Sequence, residues 1–266
     1  MKRPLYYLFS ALAVTSCASN PYRTSEKSYK EQLNIFKENL SKKESVPLQN
    51  GKNTEWISTV NFNLRKPNFI IIHHTAQDSI QQTLKTFTLV KPQVSAHYVI
   101  GDDGRVVQML NDYLRAWHGG NATWGKNTDI NSASIGIELD NNGTEPFSEA
   151  QINSLLALLA KLKKDYNIPT QNIIGHADIA PSRKKDPSAL FPWRILAEKG
   201  FGIWPDTLET APADFNIEQG LQIIGYNTKD LSAAITAFKL HYIQTEVNDA
   251  LDEKTINTIY TIYKKQ

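Results

Sequence analysis

The sequence contains a single cysteine, Cys17, among its 266 residues. One cysteine cannot form a disulfide within the chain, and the pairs of cysteines that hold structural metal ions are missing as well. The chain therefore has neither a disulfide framework nor a thiolate ligand for a metal ion.

An excess of charge of either sign is also missing. The chain has 29 Lys and Arg residues against 27 Asp and Glu residues. Without the N-terminal residues 1–16, which include Lys2 and Arg3, the chain has 27 residues of each sign. Without a basic stripe there is no electrostatic footprint for nucleic acid, so we expect no nucleic-acid partner.

The apolar N-terminal stretch is too short to cross a membrane. Residues 4–16 are mostly apolar and follow Lys2 and Arg3, which is typical of an export signal, whereas a spanning helix needs about 20 residues. The last four residues of the segment 1–17, Val-Thr-Ser-Cys, resemble the lipobox of bacterial lipoproteins, in which the cysteine is acylated. We therefore predict lipidation at Cys17, anchoring to a membrane, and an outer-membrane lipoprotein on the periplasmic side of the cell envelope. The alternative is an ordinary signal peptide with an accidental cysteine.

The segment that follows, residues 18–55, is polar and rich in Lys, Glu, Ser and Asn. Apolar residues at roughly helical spacing predict one helix within residues 28–43. We interpret the segment as a tether between the lipid anchor and the folded part of the chain. As a flexible coil, about 40 residues have a root-mean-square reach of roughly 35 Å.

The stretch on which the chemistry depends is residues 176–193, HADIAPSRKKDPSALFPW. It has no helical or strand period, so we predict a fixed loop, and such loops hold functional residues. Lys184 and Asp186 lie two residues apart, so an extended backbone directs both side chains to one face. His176 follows a short apolar run that is typical of a buried strand. His176 and Asp186 therefore suit two ligands of a zinc ion, brought together by the loop.

A third ligand is expected at the end of another strand. The apolar run at residues 69–72 is followed at once by His73 and His74. Neighbouring side chains on a strand point to opposite faces, so only one of these histidines can line a given site. The periodicity alone does not choose between them.

Five stretches together resemble one family: FIIIHHTA, SAHYVIGDDGRVVQML, AWHGG, SIGIELDN and GHADIAPSRKKDPSALFPW. They are similar to the zinc-dependent N-acetylmuramoyl-L-alanine amidases of the amidase-2 family, which share a fold with peptidoglycan recognition proteins. The resemblance covers about residues 65–206. It implies zinc bound by His73, His176 and Asp186, with Glu138 as the catalytic acid and base and Lys184 steadying the oxyanion.

The strand pattern alone does not require a catalytic role for Glu138. Residues 134–139 alternate, with Glu138 on the face opposite the apolar side chains. A lone glutamate in that position is usually solvated, and the resemblance is what assigns it a catalytic role.

Two further histidines are assigned differently. The AWHGG motif places an aromatic residue, a histidine and two glycines in a loop, so we predict that Trp117 and His118 bind substrate. His97 lies in a predicted strand, where we expect a structural histidine packed beside the sheet.

The remaining patterns predict the fold. Residues 148–166 form an amphipathic helix with a wide apolar stripe, starting at a capping box of Ser148 and Gln151. Residues 101–104, GDDG, predict a hairpin. Because strands, helices and a hairpin alternate, we predict an α/β fold with a mixed central sheet flanked by helices, in a zinc amidase domain at residues 56–206.

The C-terminal residues 212–266 predict three short amphipathic helices, that is, a small helical bundle. Their sequence resembles the peptidoglycan-binding domain of wall hydrolases, although the loops depart from its glycine-rich pattern. The alternative is a module that only packs against the catalytic domain. His241, in the second of these helices, is expected to be a surface or core residue.

The resemblance implies a monomeric enzyme that acts on peptidoglycan or muropeptides in cell-wall turnover or recycling. It would hydrolyse the amide bond between N-acetylmuramic acid and the L-alanine of the stem peptide. Two alternatives remain: a recognition protein of the same fold that binds without cleaving, and a structural lipoprotein that links membrane and wall through residues 212–266.

Overall fold

The computed structural model describes residues 20–42, 46–49, 51–61, 63–64 and 66–266. The predicted signal segment and Cys17 lie outside these residues. Among the helices described, none has the length and apolar character needed to cross a membrane. The chain divides into two compact units, Met1–Thr59 and Val60–Gln266.

The first unit contains α1 (Arg23–Ser41), which begins earlier than the helix predicted within residues 28–43. None of the residues of this helix is buried. It therefore adds no core of its own, as expected for a polar segment.

The second unit contains five strands and eight helices among its described residues. In chain order they are β1 (Phe69–His74), α2 (Ile80–Phe87), β2 (Tyr98–Ile100), β3 (Val106–Gln108), α3 (Ile130–Ala133), β4 (Ser134–Leu139), α4 (Glu149–Tyr166), β5 (Ile173–Gly175), α5 (His176–Ile179), α6 (Trp193–Glu198), α7 (Ile217–Ile224), α8 (Leu231–Tyr242) and α9 (Glu253–Tyr263).

The sheet is mixed, as the sequence predicts. Its strand order is β3-β2-β4-β1-β5, and β2, β4, β1 and β5 run parallel while β3 pairs antiparallel with β2. The predicted hairpin joins β2 to β3, where Gly104 adopts a positive φ of 81° that suits glycine. Because β1, β4 and β5 are parallel, their carboxyl ends meet at one edge of the sheet. The register places His73 beside Glu138 and ends β5 at Gly175, just before His176.

One face of the sheet packs against α4. The helix begins at Ser148, whose side chain accepts a hydrogen bond from the Gln151 backbone, and ends at Asn167 in a left-handed conformation. The side chain of Gln151 does not complete the predicted capping box but donates to the carbonyl oxygens of Ile100 and Asp140. The core on this face includes Ile70, Ile72, Ile135, Ile137, Leu155, Leu159 and Leu162.

The other face packs against the C-terminal helices. Alternation along the strands turns Ile71 and Ile174 to this side, where they share a core with Leu221, Phe238 and Ile259 of α7, α8 and α9. The three predicted helices are confirmed. Both faces of the parallel strands are thus covered, which explains why every residue of β4 is buried. The domain boundary at residue 212 stays a prediction, but these helices contribute directly to the core beneath the sheet.

Candidate metal centre and active site

Three side chains converge where β1 and β5 end. His73 is on the penultimate position of β1, His176 opens the short turn α5, and Asp186 lies ten residues further along the loop. The Nδ1 atoms of the two histidines are 2.9 Å apart, and Asp186 Oδ2 lies 3.2 Å from His73 Nδ1 and 3.0 Å from His176 Nδ1. One donor atom from each side chain thus faces a common point, an arrangement that can hold a metal ion.

The pKa values of His73 and Asp186 fit a metal centre, since a metal ion requires unprotonated ligands. Burial, and then the neighbouring His176, lower the pKa of His73 to about 4. Burial would raise the pKa of Asp186, but the adjacent imidazoles of His176 and His73 hold it well below its usual range. At neutral pH His73 therefore presents a lone pair and Asp186 a full charge.

Alternation along β1 separates the two adjacent histidines. His73 is 1% exposed and faces the common point, whereas His74 Nδ1 accepts a hydrogen bond from the Ser188 backbone at 3.2 Å. The His74 ring also lies against Gly143, where an added Cβ would stand 2.9 Å from His74 Cε1. The structure therefore places His73, and not His74, with His176 and Asp186, a choice that strand periodicity left open.

Glu138 faces the same point from β4. Its Oε1 lies 4.0 Å from His73 Nδ1, and its buried Oε2 has no hydrogen-bond partner among the described residues. Burial, and then the charge of Asp186, raise the pKa of Glu138 to about 8. Two carboxyl groups in one site thus have pKa values displaced in opposite directions, a pattern that separates an ionised ligand from a group able to exchange a proton near neutral pH.

The converging groups open onto a cavity of about 240 Å³. Lys184 and Asp186 both line it, as the two-residue spacing predicts. The neighbouring basic residues do otherwise: Arg183 donates to the carbonyl oxygens of Gly119 and Asn121, and Lys185 is exposed. Lys184 therefore supplies the cation of this loop that faces the cavity.

The sequence of the chain is similar to those of known amidases. Residues 63–189 match the family model described as N-acetylmuramoyl-L-alanine amidase. The chain is 34% identical over 219 residues to N-acetylmuramoyl-L-alanine amidase AmiD of Escherichia coli, covering 70% of this chain and 78% of that protein. The chain belongs to the N-acetylmuramoyl-L-alanine amidase family.

Solved structures agree with this assignment. A structure of AmiD from E. coli in complex with anhydro-N-acetylmuramic acid-L-Ala-D-γ-Glu-L-Lys as substrate covers 82% of this chain and 96% of its own, with a TM-score of 0.68 and 30% identity. AmpDh3 from Pseudomonas aeruginosa covers 79% of this chain and 96% of its own, with a TM-score of 0.69 and 26% identity. These matches cover more of the chain than the family model does, and the predicted mixed-sheet fold of the amidase is confirmed.

In this amidase His118 lies behind His73 of the candidate metal centre. His118 is 7% exposed, its Nδ1 lies 3.0 Å from His73 Nε2, and its Nε2 lies 3.2 Å from Ser134 Oγ. Ser134 Oγ donates in turn to the Ile130 carbonyl at 2.6 Å. Because that hydroxyl gives its proton to the carbonyl, it accepts from His118, which accepts from His73. The chain of bonds leaves His73 Nδ1 free of hydrogen and facing the site.

The immediate surroundings of His118 hold it in this orientation. Asn131 Oδ1 accepts from the backbone N–H groups of His118 and Gly119, and a Cβ on Gly136 would meet the imidazole at 2.4 Å. The carbonyl of Gly119 also lies 3.2 Å from His176 Nε2, so hydrogen bonds at the Nε2 atoms orient both imidazoles of the candidate metal centre. The role of His118 in substrate binding stays a prediction, and this position indicates a supporting role.

Trp117 lies at the mouth of the cavity and is 50% exposed, as suits a contact with substrate. The sequence did not predict another part of the cavity wall. It comes from α2 and the loops on either side of this helix, with Gln77, Thr83, Thr86, Phe87 and Val94. The local sequence of α2 contains no signal that the helix borders a cavity.

His97 is structural, as predicted. It is fully buried, its Nδ1 accepts from the Gly136 backbone, and its Nε2 donates to the Leu114 carbonyl.

Proposed function

We propose that the chain is a zinc-dependent amidase that hydrolyses the bond between N-acetylmuramic acid and the L-alanine of the peptidoglycan stem peptide. The observation that carries the proposal is the buried group of His73, His176 and Asp186 facing Glu138 in one cavity. It occurs in a chain 34% identical to an amidase that has been crystallised with an anhydromuramyl peptide as substrate.

Zinc is the metal that this donor set fits best. Two imidazole nitrogens and one carboxylate oxygen match the three-ligand pattern of catalytic zinc sites, which keep one coordination position open. When bound there, zinc supplies a Lewis acid that makes water more acidic and polarises a carbonyl group. His73, His176 and Asp186 would hold it, and the bonds behind both histidines fix the orientation of their rings.

Glu138 would move the proton. Its carboxyl group, whose Oε1 lies 4.0 Å from His73 Nδ1, can accept the proton of the attacking water and then deliver it to the amide nitrogen as the carbon–nitrogen bond breaks. The products are the free lactyl carboxyl group of the sugar and the free amine of L-alanine. Burial raises the pKa of Glu138 above its usual range, which favours its acting as both acceptor and donor of a proton near neutral pH.

Lys184 would stabilise the negative charge that develops on the carbonyl oxygen. It lines the same cavity, and as a partly buried residue it is screened by solvent less than a lysine on the open surface. One such electrostatic donor contributes about 3 kcal/mol to the transition state.

The decisive experiment incubates purified muropeptides with residues 18–266, with and without a chelator, and analyses the products by mass spectrometry. We expect release of stem peptide beginning with L-alanine, lost on chelation and restored by zinc. Muropeptides that are retained by the protein but not cleaved would contradict the proposal and favour a recognition protein.

We further propose that acylation of Cys17 anchors the enzyme to the outer membrane. The lipobox-like residues 14–17 support this, and the polar segment that follows gives the enzyme reach. Membrane fractionation after metabolic labelling with a fatty acid tests it: the wild-type protein should carry label in the membrane fraction, and Cys17→Ser should lose the label and the membrane association together.

A further inference from the structure

A second buried carboxylate, Asp178, lies two residues after the metal-facing His176. It is 1% exposed and belongs to the same short turn, α5. Its Oδ2 accepts a hydrogen bond from the Gly175 backbone at 2.7 Å, which fixes the place where β5 ends and the turn begins. Asp178 therefore determines how the turn that carries His176 leaves the sheet.

The other partners of Asp178 come from the C-terminal helices. His241 of α8 lies with its Nδ1 at 2.7 Å from Asp178 Oδ2, and Tyr226, just after α7, donates its hydroxyl to Asp178 Oδ1 at 2.5 Å. A carboxylate only accepts, so His241 Nδ1 is the donor in the first of these bonds. Burial and the nearby charge raise the pKa of Tyr226 well above its usual range, so its hydroxyl keeps the proton that it donates.

Backbone hydrogen bonds connect this turn to His176 and to Asp186. The Ala180 N–H donates to the His176 carbonyl at 3.1 Å, and the Ala177 N–H donates to the Asp186 carbonyl at 2.8 Å. A shift of the turn would thus move His176 and Asp186 together.

Close packing leaves this arrangement little freedom. The His241 ring stacks on Trp193 at 3.9 Å between centroids, and an added Cβ on Gly175 would stand 2.9 Å from Pro187, the residue after Asp186. The space among these side chains is too small for a water molecule. Water cannot therefore replace a donor that is lost from Asp178.

Gln244, just beyond α8, makes a separate connection. Its side-chain amide donates to the carbonyl oxygens of Ala189 and Phe191 in the loop after Asp186. The C-terminal segment therefore contacts the loop just after His176, through Asp178, and again just after Asp186, through Gln244.

We infer that Tyr226 and His241 are positioning residues of the metal centre, which act through Asp178 to set the geometry of His176 and Asp186. The inference rests on the proposed zinc amidase function and assigns residues 212–266 a part in it. On this inference the C-terminal helices are part of the catalytic domain. A separate wall-binding module would not need buried polar contacts with the turn that carries His176.

Tyr226→Phe is the sharpest variant, because it removes one hydroxyl and keeps the ring. Tyr98→Phe is its matched control: Tyr98 is similarly buried, and its hydroxyl donates to a carboxylate, Asp112, at 2.8 Å, but that carboxylate lies outside the cavity. Both variants lose one buried hydrogen bond of the same kind, so a purely structural role predicts the same result for both.

The measurement is zinc affinity by competition with a chromophoric chelator, together with the visible spectrum of the cobalt-substituted protein. We expect Tyr226→Phe to bind zinc about 10-fold more weakly, as is typical when a group supporting a metal ligand is lost, with an altered cobalt spectrum and a lower kcat at unchanged KM. Tyr98→Phe should match the wild type in all of these.

His241 provides the second test. Leucine at this position cannot donate, whereas the amide of asparagine can supply an N–H near the position of Nδ1. We expect His241→Leu to weaken zinc binding and His241→Asn to recover part of it. Should the leucine variant fail to fold, Tyr226→Phe decides alone. Zinc affinity and cobalt spectra of Tyr226→Phe that equal those of Tyr98→Phe would overturn the inference. A wild-type protein that neither binds zinc nor cleaves muropeptides would instead refute the proposed function.

Discussion

The same strands build two opposite environments, one between the sheet and α4 and one at their carboxyl ends. The first is apolar, with Ile72 and Ile137 packed against Leu155 and Leu159. One residue further along each strand, the chain buries His73 and Glu138 instead. Burying polar groups is costly unless they are paired, and Glu138 Oε2 has no partner among the described residues. The first region stabilises the fold. The second lowers the stability of the fold, because it buries polar groups that the proposed reaction needs.

Loss of a ligand should have the largest effect on turnover. His176→Ala removes one of the three donors of the proposed zinc site, so we expect both zinc content and muropeptide cleavage to be lost. Zinc is measured by elemental analysis of the purified protein and cleavage by mass spectrometry of the products. A protein that is folded by circular dichroism and cleaves at the wild-type rate would exclude His176 as a ligand.

Glu138→Gln should separate binding from chemistry within the cavity. The amide is nearly the same size as the carboxyl group but cannot exchange a proton at neutral pH, so we expect kcat to fall by about 100-fold to 10,000-fold. Zinc content should stay at the wild-type level, because Glu138 does not belong to the ligand group. If zinc were lost in parallel with activity, Glu138 would have to be counted among the ligands.

Lys184→Met should produce a smaller loss at full zinc occupancy. The methionine keeps much of the side-chain volume but removes the charge, which is worth about 3 kcal/mol or roughly 100-fold in kcat. The matched control is Lys185→Met, one residue away and exposed to solvent. Steady-state kinetics on a synthetic muramyl peptide compares them, and equal rates for the two variants would remove Lys184 from the mechanism.

His118→Phe tests the hydrogen bond that orients His73. Phenylalanine fills similar space but cannot accept the hydrogen bond from His73 Nε2. We expect zinc affinity to fall about 10-fold, with a smaller effect on turnover once zinc is saturating. If KM rises while zinc affinity is unchanged, the role of His118 is contact with substrate, as the sequence predicted.

The sequence predicted the fold well because apolar periodicity reports directly on burial. It identified the strand before His73, the α4 stripe and the three C-terminal helices, and the family resemblance supplied the ligand set that the structure brings together. It did not indicate that His241 and Tyr226 contact Asp178. Those contacts join elements 48 to 63 residues apart in the chain, and no local pattern records such pairing.

The helical turn at His176–Ile179 was also missed. Four residues are too few for a helical period, and this turn is held by the Asp178 side chain and not by an amphipathic face. Local pattern therefore predicted the elements, whereas the contacts that orient the ligands depend on tertiary structure.

The apolar region should respond in the opposite way from the cavity. Leu155 is fully buried between α4 and the sheet, and Leu155→Ala should lower the free energy of unfolding by about 2–5 kcal/mol through lost burial and the cavity that remains. Urea denaturation followed by circular dichroism measures this loss. Zinc affinity and kcat of the folded protein should stay at the wild-type values, because the core side chains and the metal-facing groups lie at different positions along β1 and β4. A fall in zinc affinity as large as that of His118→Phe would show that core packing helps to set the ligand geometry, and the two environments would then have to be treated as one.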